Sequence, residues 1–207
     1  MSYYINCIKY HHSLCRDIKE LIPSMNIRRR MSRVVKMGVT TALDSIADFE
    51  EYGEVDAIIT ATWLGCIADS EKFLVNIIES DEQMLNPTPF IQSTFNTVGA
   101  QVALIRSLKC YNNTFTHRLS SLKSAMIDAV LQLKCAGAKA VLVGWFDELT
   151  PTVETICARL RVAPPCDGAM FFIMTKQRYT SSAIEVDEEI FKSCDSAKID
   201  EFIESLF

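Results

Sequence analysis

The sequence predicts an α/β fold: a mixed, mostly parallel sheet of about five strands with helices on both faces. Short apolar, β-branched runs suit buried strands, and amphipathic segments at helical spacing lie between them. Parallel strands need crossover connections, which these helices supply. The 207 residues, 49% of them hydrophobic, suffice for one core. We expect one domain over residues 1–186 and an acidic, helical tail over 187–207.

The first half of the chain alternates between strand and helix patterns. A strand is predicted over residues 3–10, a helix over 31–49 and a buried strand over 56–62. A further helix is predicted over residues 70–79, with its first residue as the N-cap. Its inward-facing residues are expected to be Phe73, Leu74, Ile77 and Ile78. Two prolines in residues 86–89 predict a rigid loop, because proline lacks a donor and fixes φ.

The second half continues the alternation and ends in two strands. The predicted helices cover residues 97–108, 120–136 and 152–160. The predicted strands cover residues 111–116, 140–145, 170–175 and 182–186. Because only a polar turn separates the last two strands, we expect them to form a hairpin-like antiparallel edge.

Charge and cysteine usage exclude several classes of function. A net charge of -5 gives no overall attraction to nucleic acid, and no apolar run is long enough to span a bilayer. The eight cysteines form no C-x-x-C pair and no signal segment is visible, which favours a reduced, cytoplasmic protein. The spacing of Cys7, His11, His12 and Cys15 is unusual for zinc. We therefore expect no metal and no cofactor.

Three stretches carry a resemblance to a known family. They are residues 27–33 (IRRRMSR), residues 85–90 (LNPTPF) followed by 96–99 (NTVG), and residues 141–148 (VLVGWFDE). In this order and spacing they resemble the N-terminal half of a β-ketoacyl synthase, with a similarity from about residue 5 to about residue 184. The resemblance implies a thiolase-like fold, which agrees with the alternating pattern.

The resemblance also implies the place of the family's nucleophilic cysteine, where a strand meets a buried helix. Aligned without gaps, this junction matches the family pattern at Thr116, Ser120, Ser121 and Leu122, and Arg118 stands at the cysteine position. A guanidinium stays protonated and cannot attack a thioester. The family's active-site histidines belong to a C-terminal half that we expect this chain to lack. We therefore expect no catalytic residue for condensation.

Arg118 at the cysteine position and the expected lack of the C-terminal half favour a non-catalytic accessory protein of fatty-acid, aryl-polyene or polyketide synthesis, similar to a chain length factor. Its expected partners are a ketosynthase and an acyl carrier protein, in a homo- or hetero-oligomer. A ligand pocket for a carboxylate or phosphate is expected at Thr116, His117, Arg118 and Ser120. Carrier-protein docking is expected at the one dense basic cluster, which comprises Arg28, Arg29, Arg30, Arg33 and Lys36.

Two alternatives remain open. One is an independent acyltransferase or acyl-thioester-processing enzyme that uses Cys110 or Ser120. The other is a self-associating scaffold, since half of a two-half fold leaves apolar surface to cover. A separate hypothesis is that the tail itself covers the face left by the absent half, through an apolar side formed by Ile190, Phe191, Ile199, Phe202, Ile203 and Leu206.

Overall fold

A single six-stranded sheet forms the centre of the computed structural model, which describes residues 2–192 and 196–206. The strand order is β3-β2-β4-β5-β1-β6. The strands are β1 (Ser2–Tyr10), β2 (Ala57–Ala61), β3 (Tyr111–Phe115), β4 (Ala140–Asp147), β5 (Gly168–Thr175) and β6 (Ile184–Asp187). Strand β2 runs parallel to β3 and β4, whereas the pairs β4–β5, β5–β1 and β1–β6 are antiparallel.

The sheet confirms the α/β prediction and its mixed character, whereas the expected majority of parallel pairs and the expected hairpin are not found among the described strands. The described sheet has six strands, as many as the strand segments predicted from the sequence, but its antiparallel pairs outnumber its parallel ones. The expected hairpin of the last two strands does not form, because β1 lies between them. Two strand spacings amount to about 10 Å, which the segment between β5 and β6 spans easily.

A buried asparagine explains why that segment crosses β1. The side-chain oxygen of Asn6 accepts hydrogen bonds from the backbone N–H groups of Tyr179 and Thr180 at 3.1 and 3.2 Å. Its amide donates to the hydroxyl of Thr175 at 2.9 Å. Asn6 is fully buried, so these bonds satisfy polar groups that water does not reach. One side chain in β1 therefore fixes the path from β5 to β6.

Helices cover both faces of the sheet, as expected. They are α1 (Ile18–Leu21), α2 (Met25–Arg30), α3 (Arg33–Phe49), α4 (Ile67–Glu79), α5 (Pro87–Gln92), α6 (Thr97–Arg106), α7 (Ser121–Cys135), α8 (Pro151–Leu160), α9 (Glu188–Lys192) and α10 (Ser196–Glu204). Helices α3 and α6 contribute to the core on one face, and α7 to the core on the other. Strand β4 supplies both cores alternately, with Leu142 in the first and Val141 and Val143 in the second.

Two local predictions on α4 and α5 are wrong for identifiable reasons. Residues 86–89 do not form a rigid loop, because Pro87 begins a helix where its missing N–H costs nothing. The side chain of Asn86 caps this helix by accepting a hydrogen bond from the backbone of Thr88 at 3.0 Å. Helix α4 starts at Ile67 rather than Ser70, and the hydroxyl of Ser70 donates to the carbonyl of Cys66.

The inward face predicted for α4 is also partly wrong. Leu74 and Ile78 are 59% and 80% exposed. Helical spacing identifies an apolar stripe, but whether another element covers that stripe depends on the tertiary structure. No helix among the described residues is long and apolar enough to cross a membrane.

The C-terminal tail packs against the α7 face. Leu206 is 3% exposed, and Ile190, Phe191, Phe202 and Ile203 contact the same core cluster. The hydroxyl of Tyr10 donates to the carbonyl of Leu206 at 2.5 Å. Of the six tail residues expected to form an apolar side, Ile199 lies outside the residues whose side chains are described.

Candidate functional site

The site begins at a sharp turn between β3 and α7. Arg118 opens one turn of 3₁₀ helix, Arg118–Ser120, and has a φ of 49°. Residues other than glycine rarely adopt this left-handed backbone conformation, so surrounding contacts must hold the turn. The buried hydroxyl of Ser121 accepts a hydrogen bond from the backbone of His117 at 2.7 Å. It also lies 2.7 Å from the carbonyl oxygen of Arg118 and 2.8 Å from that of Thr62, tying the turn to the end of β2.

A buried carboxylate organises the neighbouring strand ends. Asp147, at the end of β4, accepts hydrogen bonds from the hydroxyl of Thr62 at 2.8 Å and from the backbones of Trp63 and Leu64 at 2.9 and 2.8 Å. The indole of Trp145 donates to it at 2.8 Å. Burial raises the pKa of Asp147, and the four donor groups act in the opposite direction. Asp147 therefore fixes the indole of Trp145 and the backbone of the turn after β2.

A cavity of about 520 Å³ lies between this turn and the tail. Most of its lining is apolar, and the apolar lining residues are Trp63, Leu119, Leu122, Trp145, Pro165 and Ile203. Arg118, Ser120 and Cys166 also line the cavity, together with Asp147. Helix α10 contributes Asp200 and Glu204 at the opposite side. The volume falls in the range of about 300–1,000 Å³ that is typical of small-molecule sites.

A smaller cavity of about 360 Å³ adjoins the first and shares Trp145 and Cys166 with it. His11 lines this smaller cavity, and its Nδ1 accepts a hydrogen bond from the backbone of Ala169 at 3.2 Å. Burial lowers the pKa of His11. A neutral imidazole that accepts at Nδ1 carries its proton on Nε2.

Comparison with known proteins identifies the family of the chain. A family model described as the N-terminal domain of beta-ketoacyl synthase matches residues 13–200. The chain belongs to this family. Comparison with curated proteins gives no significant match.

Solved structures of ketosynthases share the fold of this β-ketoacyl synthase domain. The ketosynthase ApeO in complex with its chain length factor ApeC, from Xenorhabdus doucetiae, matches with a TM-score of 0.68 at 18% identity, over 86% of this chain and 80% of that chain. The ishigamide ketosynthase/chain length factor matches with a TM-score of 0.65 at 15% identity, over 81% of this chain and 49% of that chain.

A third structure includes an acyl carrier protein. It is the type II polyketide synthase complex AntDE:AntF, described as an acyl-carrier protein in complex with its ketosynthase bound to the hexaketide. It matches with a TM-score of 0.68 at 13% identity, over 85% of this chain and 62% of that chain. The present chain thus spans about half to two thirds of two of these neighbours, and at such identities the likeness shows the fold.

In this β-ketoacyl synthase domain the predicted pocket residues divide into two pairs. Arg118 and Ser120 line the larger cavity, whereas Thr116 and His117 are exposed and lie outside its lining. Cys110 lines a different cavity beside α6, and burial raises the pKa of its thiol. Sequence reasoning missed Cys166 and Asp147. An acidic residue at the end of an apolar strand was the available signal for Asp147.

The basic cluster is partly engaged in contacts within the domain. Arg28 donates to the carbonyls of Ile22 and Pro23, and Arg33 forms a two-fold ion pair with Asp167 at 2.8 and 2.6 Å. Lys36 is partly buried. The two remaining members, Arg29 and Arg30, are exposed on α2 and form no ion pair with a described residue. Within residues 2–192 and 196–206, no group of three or more His, Cys, Asp or Glu side chains is arranged to hold a metal ion.

Proposed function

We propose that this chain is a non-condensing, chain-length-factor-like subunit that acts in the cytoplasm beside a complete ketosynthase of fatty-acid, aryl-polyene or polyketide synthesis. The observation that carries the proposal is Arg118 at the turn between β3 and the N-terminus of α7. The family resemblance implies a nucleophilic cysteine at this position. A helix N-terminus favours a thiolate there, but a guanidinium is a permanent cation without nucleophilic electrons.

The remaining described thiols near the core give little support for a substitute nucleophile. Burial raises the pKa of Cys7 to about 11 and that of Cys66 to about 12, so both are thiols at neutral pH. Cys166 is exposed and lines the cavity with Arg118. It therefore replaces Cys110 as the thiol for the alternative proposal of an independent acyl-thioester-processing enzyme, with Ser120 as the candidate hydroxyl.

Acylation separates these two proposals. The purified chain is incubated with acyl thioesters and examined by intact mass, and condensation with a malonyl carrier protein is followed in parallel. We expect neither an acyl adduct nor a condensation product. Arg118→Cys is expected to gain an acyl adduct, whereas Arg161→Cys is not, because Arg161 is also exposed with a φ of 55° but lies outside this cavity. An acyl adduct on the unaltered chain would instead support the independent enzyme.

The free edge of β3 is the surface proposed to meet the ketosynthase. Strand β3 ends the sheet, so one row of its backbone donors and acceptors is available to another chain. Helices α6 and α7 both contact β3 and carry exposed apolar residues, with Leu104 on α6 and Leu131 on α7 at 67% and 51% exposure. The three ketosynthase neighbours are complexes with a chain length factor or a carrier protein, which supports a partner of this kind.

Arg29 and Arg30 are the residues proposed to attract an acidic acyl carrier protein. A local positive patch steers an anionic partner even when the net charge of the chain is negative. Changing both to Glu is expected to weaken carrier-protein binding by about tenfold, with a reduced salt dependence. The matched control changes Arg159 and Arg161, two exposed arginines at the end of α8, to Glu. An equal loss of carrier-protein affinity in both double variants would contradict the proposal that the carrier protein binds at α2.

A further inference from the structure

We infer that the cavity beside Arg118 binds a free, medium-chain aliphatic carboxylate without a covalent bond, with Arg118 as its counter-ion. This inference rests on the proposed function only in treating Arg118 as a residue that does not perform condensation. The ligand is a carboxylic acid in its ionised form, and no bond to the protein is made or broken.

The shape and lining of the cavity define the body of the ligand. Its volume is about 520 Å³, and apolar side chains make up most of its wall. Leu122 is 3% exposed, and the indole of Trp145 is held in place by Asp147. Removing a hydrocarbon chain from water into such a space is favourable, and the gain grows with each methylene group buried. The cavity is therefore expected to bind an aliphatic chain more tightly than a polar metabolite of similar size.

The charges around the cavity define the head group. Among the described lining residues, Arg118 carries the one positive charge, and it makes no ion pair with a described carboxylate. Asp147 accepts from Thr62, from two backbone N–H groups and from an indole, so its oxygens are already occupied. The planar guanidinium group of an arginine matches a carboxylate geometrically and can donate two parallel hydrogen bonds to it.

The acidic residues of α10 that line the cavity limit the negative charge that the head group of the ligand can carry. Helix α10 contributes Asp200 and Glu204, which are both exposed and hence screened by water and salt. Asp200 also lies 3.6 Å from the ammonium of Lys123. A cavity lined by these two carboxylates and one arginine accommodates a single negative charge more readily than the two charges of a phosphate ester. The head group is therefore a carboxylate.

Helix α10 of the tail completes the cavity. Ile203, Asp200 and Glu204 form one wall of the cavity, and α10 packs against the core beside α7. A bound aliphatic chain fills the space between that helix and the Arg118 turn, so we expect it to stabilise the protein against thermal unfolding.

Intrinsic fluorescence tests the inference directly, because the protein has two tryptophans, Trp63 and Trp145, and both line this cavity. The probe is sodium decanoate, added below its micelle concentration to the full chain. We expect a saturable change in fluorescence and a higher melting temperature. Arg118→Gln is expected to weaken decanoate binding by about tenfold or more, since it removes a charge-assisted contact. Decan-1-ol, which lacks the charge, is expected to bind the original and Arg118→Gln proteins equally.

Arg161→Gln is the matched control, because Arg161 shares the exposure and left-handed φ of Arg118 but lies outside the lining. It is expected to bind decanoate as the original protein does. Absence of a saturable change, or equal affinity of the original and Arg118→Gln proteins, would overturn the inference. Tighter binding of decyl phosphate than of decanoate would overturn the choice of head group. Capture of a ketosynthase is measured separately, so failure here is distinguishable from failure of the proposed function.

Discussion

Gly144 in β4 shows how a single residue sets the packing of the sheet centre. A Cβ added at this position would lie 2.0 Å from the ring of Phe171, which is fully buried on the neighbouring strand. Gly144→Ala is therefore expected to destabilise the protein by about 2 kcal/mol or more, because a well-packed core cannot absorb the methyl group. Urea unfolding measures the effect. An unchanged free energy of unfolding in Gly144→Ala would contradict the explanation.

Residues differ in how much of their role the sequence reveals. Arg118 is found by aligning a short junction, because the neighbouring Thr116, Ser120 and Ser121 match a known pattern. Asp147 is not found in this way, because its role depends on donors supplied by Thr62, Trp63 and Leu64 from a distant part of the chain. The partners of a buried polar group are determined by the fold, so sequence alone identifies the group but not its contacts.

The junction between α4 and β4 couples stability to pH. Glu148 is 3% exposed and accepts a hydrogen bond from the backbone of Ala68 in the first turn of α4. Burial raises the pKa of Glu148, and the nearby charge of Asp69 raises it further; burial likewise raises the pKa of Asp69. The folded protein thus holds protons that the unfolded chain releases. Their stabilising contribution is complete below the ordinary carboxyl pKa and is lost as the pH rises through the raised values.

Asp69→Asn is expected to flatten this part of the stability profile. It removes one of three carboxyls whose pKa burial raises, and also the repulsion that acts on Glu148, whereas Asp147 keeps its own contribution. Urea unfolding between about pH 4 and about pH 8 checks the slope. The carboxyls of Asp48 and Asp167 have lowered pKa values, so their contributions change at lower pH and do not interfere. Asp81→Asn, at an exposed carboxyl, serves as the control, and an unchanged slope in Asp69→Asn would contradict the account.

At the level of elements, periodicity predicts long helices and buried strands well but not their neighbours. The helix predicted over residues 31–49 and the strand predicted over residues 140–145 correspond to α3 and β4. The path from β5 around β1 to β6 was not predictable, because strand order depends on long-range contacts such as those of Asn6. The start of α5 was missed because proline disrupts the interior of a helix but is favoured at its first position, and the sequence alone did not distinguish the two cases.

For the molecule as a whole, the tail is expected to be an integral part of the fold. Leu206 is buried against the α7 face, close to the end of the chain. Leu206→Ala is expected to destabilise the protein by about 2–3 kcal/mol, as for other buried leucines. Leu160→Ala, at a leucine that is 66% exposed, is expected to change stability by less than about 0.5 kcal/mol. Equal melting temperatures for the original and Leu206→Ala proteins would show that the tail is a separate appendage.

The central claim is that the chain works beside a complete ketosynthase, and co-purification from the native cells tests it most directly. The tagged protein is isolated gently, and retained proteins are identified and quantified by mass spectrometry. We predict a ketosynthase in near-stoichiometric amount, lost when the exposed Leu131 of α7, a helix that contacts β3, is changed to Glu and kept when the exposed Leu160 is changed to Glu. Recovery of the protein alone, as a monomer or as copies of itself, would contradict the account.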